Sequence, residues 1–352
     1  MTVTKKFIGI LLGLILLSAC LEPEYDDIWS LNGIASINTI GYCRDVHIVD
    51  DIAYVAAGAA GVQGWDVSDI TTINKVLNID NSTVIYSSGT EFSFIYDRDI
   101  AQIYYSKSNQ DLFVLENTQL VKCLNISDYD SIYTKGEILS VGTYEFRSAF
   151  DRLDTIRIFA ADNDDGLKWH TYTPAFWGDW LQIDGTELPT LGSPVGIDMN
   201  NELIALGQGQ QGIEIFTYNE SNDNPISIGN FDTDGIASHP TFDGNNLYVA
   251  LDFGGAAYFE ISELPLDTTN SILTGYGYTF AEDLNVDHIS IIDDIAILSL
   301  GPYGIALYDV SNPKKPVSKG IFDIGYTYKT VIHAGKVYVA CREGLQIYEI
   351  HK

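Results

Sequence analysis

Gly207-Gln208-Gly209-Gln210-Gln211-Gly212 follows the apolar run Leu203-Ile204-Ala205-Leu206 and has the G-x-G-x-x-G spacing that cradles a dinucleotide pyrophosphate. That chemistry needs a helix after the glycines, with its N-terminal amides turned to the phosphate. The next residues are Ile213-Glu214-Ile215-Phe216-Thr217-Tyr218, a β-branched and aromatic alternation that predicts a strand. The spacing therefore has no pyrophosphate mechanism. Its glycines are expected to make a tight hairpin, where positive φ is needed.

Other chemistry-bearing residues are scattered. The histidines are His47, His170, His239, His288, His333 and His351, none at H-E-x-x-H spacing. Asp162-Asn163-Asp164-Asp165-Gly166 has the composition of a calcium loop, but lacks its oxygen register and the later bidentate glutamate, so a polar hairpin is expected. Phe176, Trp177 and Trp180 crowd one connection and could pack on the blade edge, anchor a partner or stack on sugar. No G-x-S-x-G, P-loop or S-x-x-K marks a nucleophile, and no C-x-x-C marks a zinc or haem site. No cofactor is expected, although a bound divalent cation would suit the many carboxylates.

The glycine hairpin recurs along the chain, and the recurrence defines the elements. Equivalent segments begin at Gly61, Asp111, Gly166, Gly212, Gly255, Gly304 and Gly344, roughly 40 to 55 residues apart. Each is preceded by a second short apolar strand, such as Ile52–Ala57 or Ile295–Leu300. Four strands fit each repeat, helical periodicity is absent, and such units bury their faces only by packing around an axis. The expected fold is all-β, a seven-bladed β-propeller. The last repeat has three strands, so residues 33–40 are expected to supply its fourth and close the ring.

Counting back from each second strand puts Asp45, His239, His288 and Lys329 at equivalent positions near the mouth of the central channel, with Arg44, Arg147 and Asp287 close by. His239, His288 and Asp287 could form a metal or acid–base site there, or could line a wet channel. Cys43 and Cys341 fall at ends of neighbouring blades that open on one face, so they could form a disulfide or remain buried thiols. Cys123 has no partner in this scheme and is expected to pack.

The chain begins with Lys5-Lys6, an apolar run from Phe7 to Leu17, and Leu17-Ser18-Ala19-Cys20. This resembles the lipobox of bacterial lipoproteins, which implies cleavage before Cys20 and a lipid on its thiol. Residues 1–19 are then a signal peptide, 20–30 a lipidated tether, and 31–352 the propeller. Leu21, where aspartate would retain the protein at the inner membrane, implies the outer membrane or cell surface. Asp50-Asp51-Ile52-Ala53-Tyr54-Val55-Ala56 with Gly61 and Trp65-Asp66-Val67-Ser68-Asp69 resembles the LVIVD-repeat β-propellers of bacteria. Asp293-Asp294-Ile295-Ala296 with Gly304 and Tyr308-Asp309-Val310-Ser311-Asn312-Pro313 repeats the likeness. The resemblance implies a fold and a place outside the cytoplasm, with no one activity.

Forty-eight acidic residues against 19 basic ones give a net charge of −29, which repels nucleic acid and anionic headgroups. The expected function is a surface-anchored, non-enzymatic binding or assembly module, held to the membrane by lipid and meeting an envelope protein or glycan. An enzyme at the channel mouth, assisted by a metal on His239 and His288, is the alternative.

Overall fold

The computed structural model describes residues 28–79, 82–87, 90–95, 100–106, 111–116, 119–124, 128–131, 138–147, 154–174, 180–200, 203–218, 224–265 and 268–352. Side chains are described within 28–78, 159–169, 187–200, 203–218, 224–265 and 271–352.

Among the described residues, alternating apolar and polar side chains form short strands, which pair into seven sheets of four or more strands and one separate hairpin. In chain order the sheets span residues 45–79, 100–131, 138–188, 196–231, 240–280, 288–322 and 327–351; they are numbered one to seven below. The separate hairpin pairs Ser82–Ser87 with Thr90–Ile95. The innermost strands are Asp45–Val49, Ile100–Ser106, Ile138–Arg147, Gly196–Met199, Pro240–Asp243, His288–Ile292 and Thr327–His333. Each touches the next, and the last touches the first, so the sheets close a ring. This is a β-propeller.

The closing strand is Ser30–Ile37, antiparallel to Gly344–His351, with Ser30 opposite His351 and Ile37 opposite Leu345. It enters three residues earlier than the segment 33–40 expected from sequence. The buried Trp29 just before it explains the shift. Its N–H donates to the Lys319 carbonyl at 3.0 Å, and its ring packs with Ile297, Leu307 and Val339 between sheets six and seven.

The hydrophobic core is divided into layers between sheets. Tyr248, Tyr258, Ile289 and Leu298 fill the one between five and six; Ala53, Val55, Tyr338 and Ile347 fill that between seven and one. Period-two alternation sends successive residues of a strand to opposite layers. Val339 thus faces sheet six while Ala340 faces sheet one. Each large side chain so buried contributes about 1.5–3 kcal/mol relative to exposure.

The repeat glycine is explained at atomic level. Gly166, Gly212, Gly255, Gly304 and Gly344 all have positive φ, and a Cβ on each would lie 2.1–2.5 Å from a carbonyl oxygen of the outer strand or its end. For Gly344 that oxygen belongs to Ile37, so the N-terminal strand occupies the place a fourth strand holds elsewhere.

Two departures from the plain repeat appear. Sheet four gains a fifth strand, Thr268–Leu273, parallel to Ile226–Phe231 and supplied by a long connection within sheet five. Ile138–Arg147 is ten residues long, against four or five in most other inner strands.

Candidate functional site

All inner strands start at the same end of the ring, so their first residues converge on one mouth. Asp45 lies opposite Ala56, His288 opposite Ser299 and Lys329 opposite Ala340, while the His239 carbonyl accepts from the Ala250 N–H at 2.9 Å. Gly196, opposite Gly207, holds the fifth equivalent position.

Asp45 is only 3% exposed, and its Oδ1 accepts from the Lys329 ammonium at 2.7 Å and from the Val46 N–H at 2.8 Å. His239 and His288 face each other with ring centroids 5.8 Å apart and planes tilted by 49°. Burial pushes His239 down to about 4, and the Lys329 charge adds to this while Asp45 opposes it. Burial, Lys329 and His239 hold His288 well below the ordinary imidazole range. Both rings are therefore neutral at physiological pH. The buried Nδ1 of His288 has no hydrogen-bond partner among the described residues.

One member of this constellation was missed from sequence. Asp198, two residues beyond Gly196, accepts from the Phe242 N–H at 2.7 Å, across the gap between sheets four and five. Burial raises its carboxyl to about 6, against the pull of two backbone N–H groups and Lys329. The same position in the following repeats carries Thr241, which donates to the Ile289 carbonyl at 2.9 Å, and Ser290, which donates to that of Thr330 at 2.5 Å. A polar belt thus ties adjacent inner strands. Applying the repeat alignment one step further would have found it.

Other expectations need correction. Arg147 is the last residue of its inner strand, opposite Asp154, at the end away from the mouth; the strand is twice the usual length and carries it there. Asp287 does not join the imidazoles. Its carboxylate abuts Gly301, and burial with the nearby Asp252 raises it to about 6. Among the described residues no cluster of three or more His, Cys, Asp or Glu could hold a metal. Arg44 stands at the rim, its N–H donating to the Ala56 carbonyl at 2.8 Å.

Cys43 and Cys341 are free thiols, although the Cys43 N–H donates to the Cys341 carbonyl at 3.1 Å across the ring closure. Cys43 packs with Val46, Val55 and Ala340 between sheets seven and one, whereas Cys341 packs with Ile297, Val337 and Val339 between six and seven. Sheet seven stands between the two side chains. Burial raises both thiols, Cys341 to about 12.

Cys20, Phe176 and Trp177 lie outside the described residues, as does the Cys123 side chain. Trp180 opens its strand opposite Pro174.

The two motif-like stretches have structural roles. In Gly207–Gly212 a Cβ at Gly207 would meet the Ser238 carbonyl at 2.3 Å, and Gly209 and Gly212 take φ of 60° and 78°. The Gln208 side chain crosses the hairpin to Glu214 at 2.5 Å. In Asp162–Gly166 the position of a cation is taken by the chain's own Lys168, 2.7 Å from Asp162 and 2.5 Å from Asp165.

Around the mouth, the loops carry an apolar collar that sequence reading did not single out. Phe253 is 80% exposed and Tyr303 67%, with Ile40, Tyr42, Leu191 and Ile236 also solvent-facing. They occupy the turns between second and third strands and the connections leading into inner strands, all at the mouth end.

No family model matches the chain, and neither does any curated protein. Solved structures do. The WD40 β-propeller domain of Doa1 aligns with TM-score 0.61 at 11% identity, covering 91% of this chain and 97% of that one. Sqt1 of Saccharomyces cerevisiae gives 0.60 at 10% identity, covering 92% and 99%. U3-55K gives 0.62 at 10% identity, covering 93% and 100%. At such identities the likeness is one of fold.

Proposed function

We propose that this chain is a lipid-anchored, non-enzymatic binding and assembly module of a bacterial envelope, displayed on the outer membrane or cell surface. The observation that carries this reading is the exposed collar, which sits at the end of the ring opposite Ser30, where the proposed tether would arrive. Ser30 is paired with His351 at the lower end, and the closing strand runs from there up to Ile37. A tether fixed at Cys20 therefore attaches to the lower rim, and the collar faces outward. Nine residues lie between Cys20 and Ser30, a reach of at most about 36 Å over the ten Cα steps.

The resemblance of Leu17–Cys20 to a lipobox supports the anchor, and that of the repeats to LVIVD propellers supports the setting. WD40 propellers among the structural neighbours supply a fold well suited to holding loops rigidly for a partner. The expected partner is an envelope protein, with a glycan as the other candidate.

Affinity purification of the full lipoprotein from its native envelope in mild detergent, with proteins and metals measured in one sample, tests this. A stoichiometric protein partner, lost on changing Phe253 and Tyr303 to serine, is the expected result. A lone protein carrying one equivalent of metal would overturn it. That outcome would favour a second reading, a channel-mouth enzyme, for which the neutral His239–His288 pair and the open Nδ1 of His288 are the supporting observations.

A further inference from the structure

We propose that the collar docks a cationic segment of a partner protein, with lysine or arginine stems laid over its aromatic rings and their charges set against its carboxylates. This rests on the binding-module reading and names the partner's chemistry.

Extent of the surface is the first argument. Gly235 and Gly254 approach closely, so the loops that carry Ile236 and Phe253 abut. The turn of Tyr303 abuts Tyr326, since a Cβ on Gly301 would lie 3.8 Å from that ring. The Tyr326 and Tyr328 rings meet at a tilt of 46° with centroids 4.9 Å apart, and the Arg342 guanidinium then links Tyr326 to Tyr42. Apolar surface thus stands in two runs at the mouth, one on the abutting loops of Ile236 and Phe253 and one from the Tyr303 turn through Tyr326 to Tyr42. Contiguous exposed apolar surface rimmed by polar groups marks an interaction site.

Arg342 supplies the second argument, because it shows what the collar does with a cation. Its guanidinium carbon lies 4.2 Å from the Tyr326 ring centroid and 5.1 Å from that of Tyr42. Cation–π attraction of this kind is worth about 0.5–1 kcal/mol at exposed sites and more once a partner excludes water. Phe253 and Tyr303 offer the same chemistry with no cation of the chain over either ring among the described contacts.

Charge completes the case. The mouth-end loops carry Asp232, Asp252, Asp287, Asp323 and Glu343, whereas their cations among the described residues are Arg44 and Arg342. Asp252 directly precedes Phe253, and Asp287 abuts the turn that holds Tyr303. A cation whose apolar stem crosses either ring has a carboxylate close by. An acidic or purely apolar partner would leave these groups repelled or desolvated without compensation.

The test uses the full lipoprotein in zwitterionic vesicles and a labelled eight-residue peptide of arginine, serine and leucine, read by fluorescence anisotropy. A counterpart with glutamate for arginine is the control. Two variants separate the components, F253S/Y303S for the rings and D252N/D287N for the charges; thermal melting verifies that both fold. Each variant is expected to weaken the arginine peptide about tenfold, and the glutamate peptide should not bind. Equal affinity in wild type and both variants would overturn the proposal, reducing the binding to diffuse attraction by an acidic protein. A soluble oligosaccharide that displaces the peptide and loses affinity in F253S/Y303S would also overturn it, assigning the collar to glycan. Cross-linking in the native envelope separates the two levels. A partner cross-linked only to the lower face would end the collar proposal and leave the module standing; absence of any cross-linked partner would end the module reading itself.

Discussion

Titration of single groups in the channel has opposite signs, which makes them separable. Asp198 is raised in the folded state to about 6, so between about pH 4 and 6 the folded chain binds a proton that the unfolded chain has released. Stability contributed by that proton is lost as pH rises through the window. His239, lowered to about 4, acts the other way: the unfolded imidazole takes up a proton first as pH falls below about 6.5. Whole-protein melts would blur the two. Asp198→Asn can still accept from the Phe242 N–H but cannot ionise. The variant is expected to match wild type near pH 4 and to exceed it by on the order of 2–3 kcal/mol at pH 7. Denaturant unfolding at both pH values checks this, and a gap that does not open with pH would refute the raised carboxyl. At this scale the sequence was only half legible. Aligning the second strands placed Asp45, His239, His288 and Lys329 correctly, because pairing across a two-stranded ladder is fixed by counting. It misplaced Arg147, since no local signal announced a ten-residue inner strand. It also left the cysteine pairing open, although the same count puts Cys43 and Cys341 on the same side of their own blades, and hence on opposite sides of sheet seven.

Among elements, the hairpin between second and third strands is the repeated part that sequence displayed most clearly. Its glycine answers two demands at once, positive φ and the approach of an outer-strand carbonyl. Gly304 has φ of 79° and a carbonyl 2.1 Å from its Cβ position, whereas Gly244 has φ of 59° and nothing within 4 Å. Alanine at Gly244 therefore pays for backbone conformation alone, about 1 kcal/mol. At Gly304 it must also push the outer strand aside, and a total of about 2–4 kcal/mol is expected. Comparison of the two melts isolates the packing component; equal losses would show that the outer strand yields freely. The Asp-Val-Ser turn that followed several hairpins has an equally local cause. The Oδ1 of Asp66 and that of Asp309 each accept from the serine N–H two residues on, at 3.0 Å, and the serine hydroxyl followed by this N–H holds each carboxyl below its usual range. Such contacts are written within a few residues and can be read from them. The parallel strand Thr268–Leu273 could not be, because it pairs with a sheet other than the one that encloses it in sequence.

Closure of the ring by an N-terminal strand sets the geometry of the whole molecule. Chain direction alone decides which face a tether can present, since Ser30 and His351 pair at the lower end while the connection from Ile37 to Asp45 crosses the collar end. Lys352 then lies beside Trp29, where the proposed tether would arrive. Under the proposed display mechanism, what matters is the rim that is held and not which terminus holds it. Removing the proposed anchor with Cys20→Ser is expected to release the protein from the membrane without unfolding it. Re-anchoring that variant through a lipidated extension after Lys352 should restore partner binding, because the collar again faces outward. An anchor built into the turn at Pro302, on the collar itself, should return the protein to the membrane and leave the partner unbound. Fractionation and partner recovery on these three forms read the two effects independently. Full binding from the collar-anchored form would show that orientation carries no function, and the outward-facing collar would lose its role.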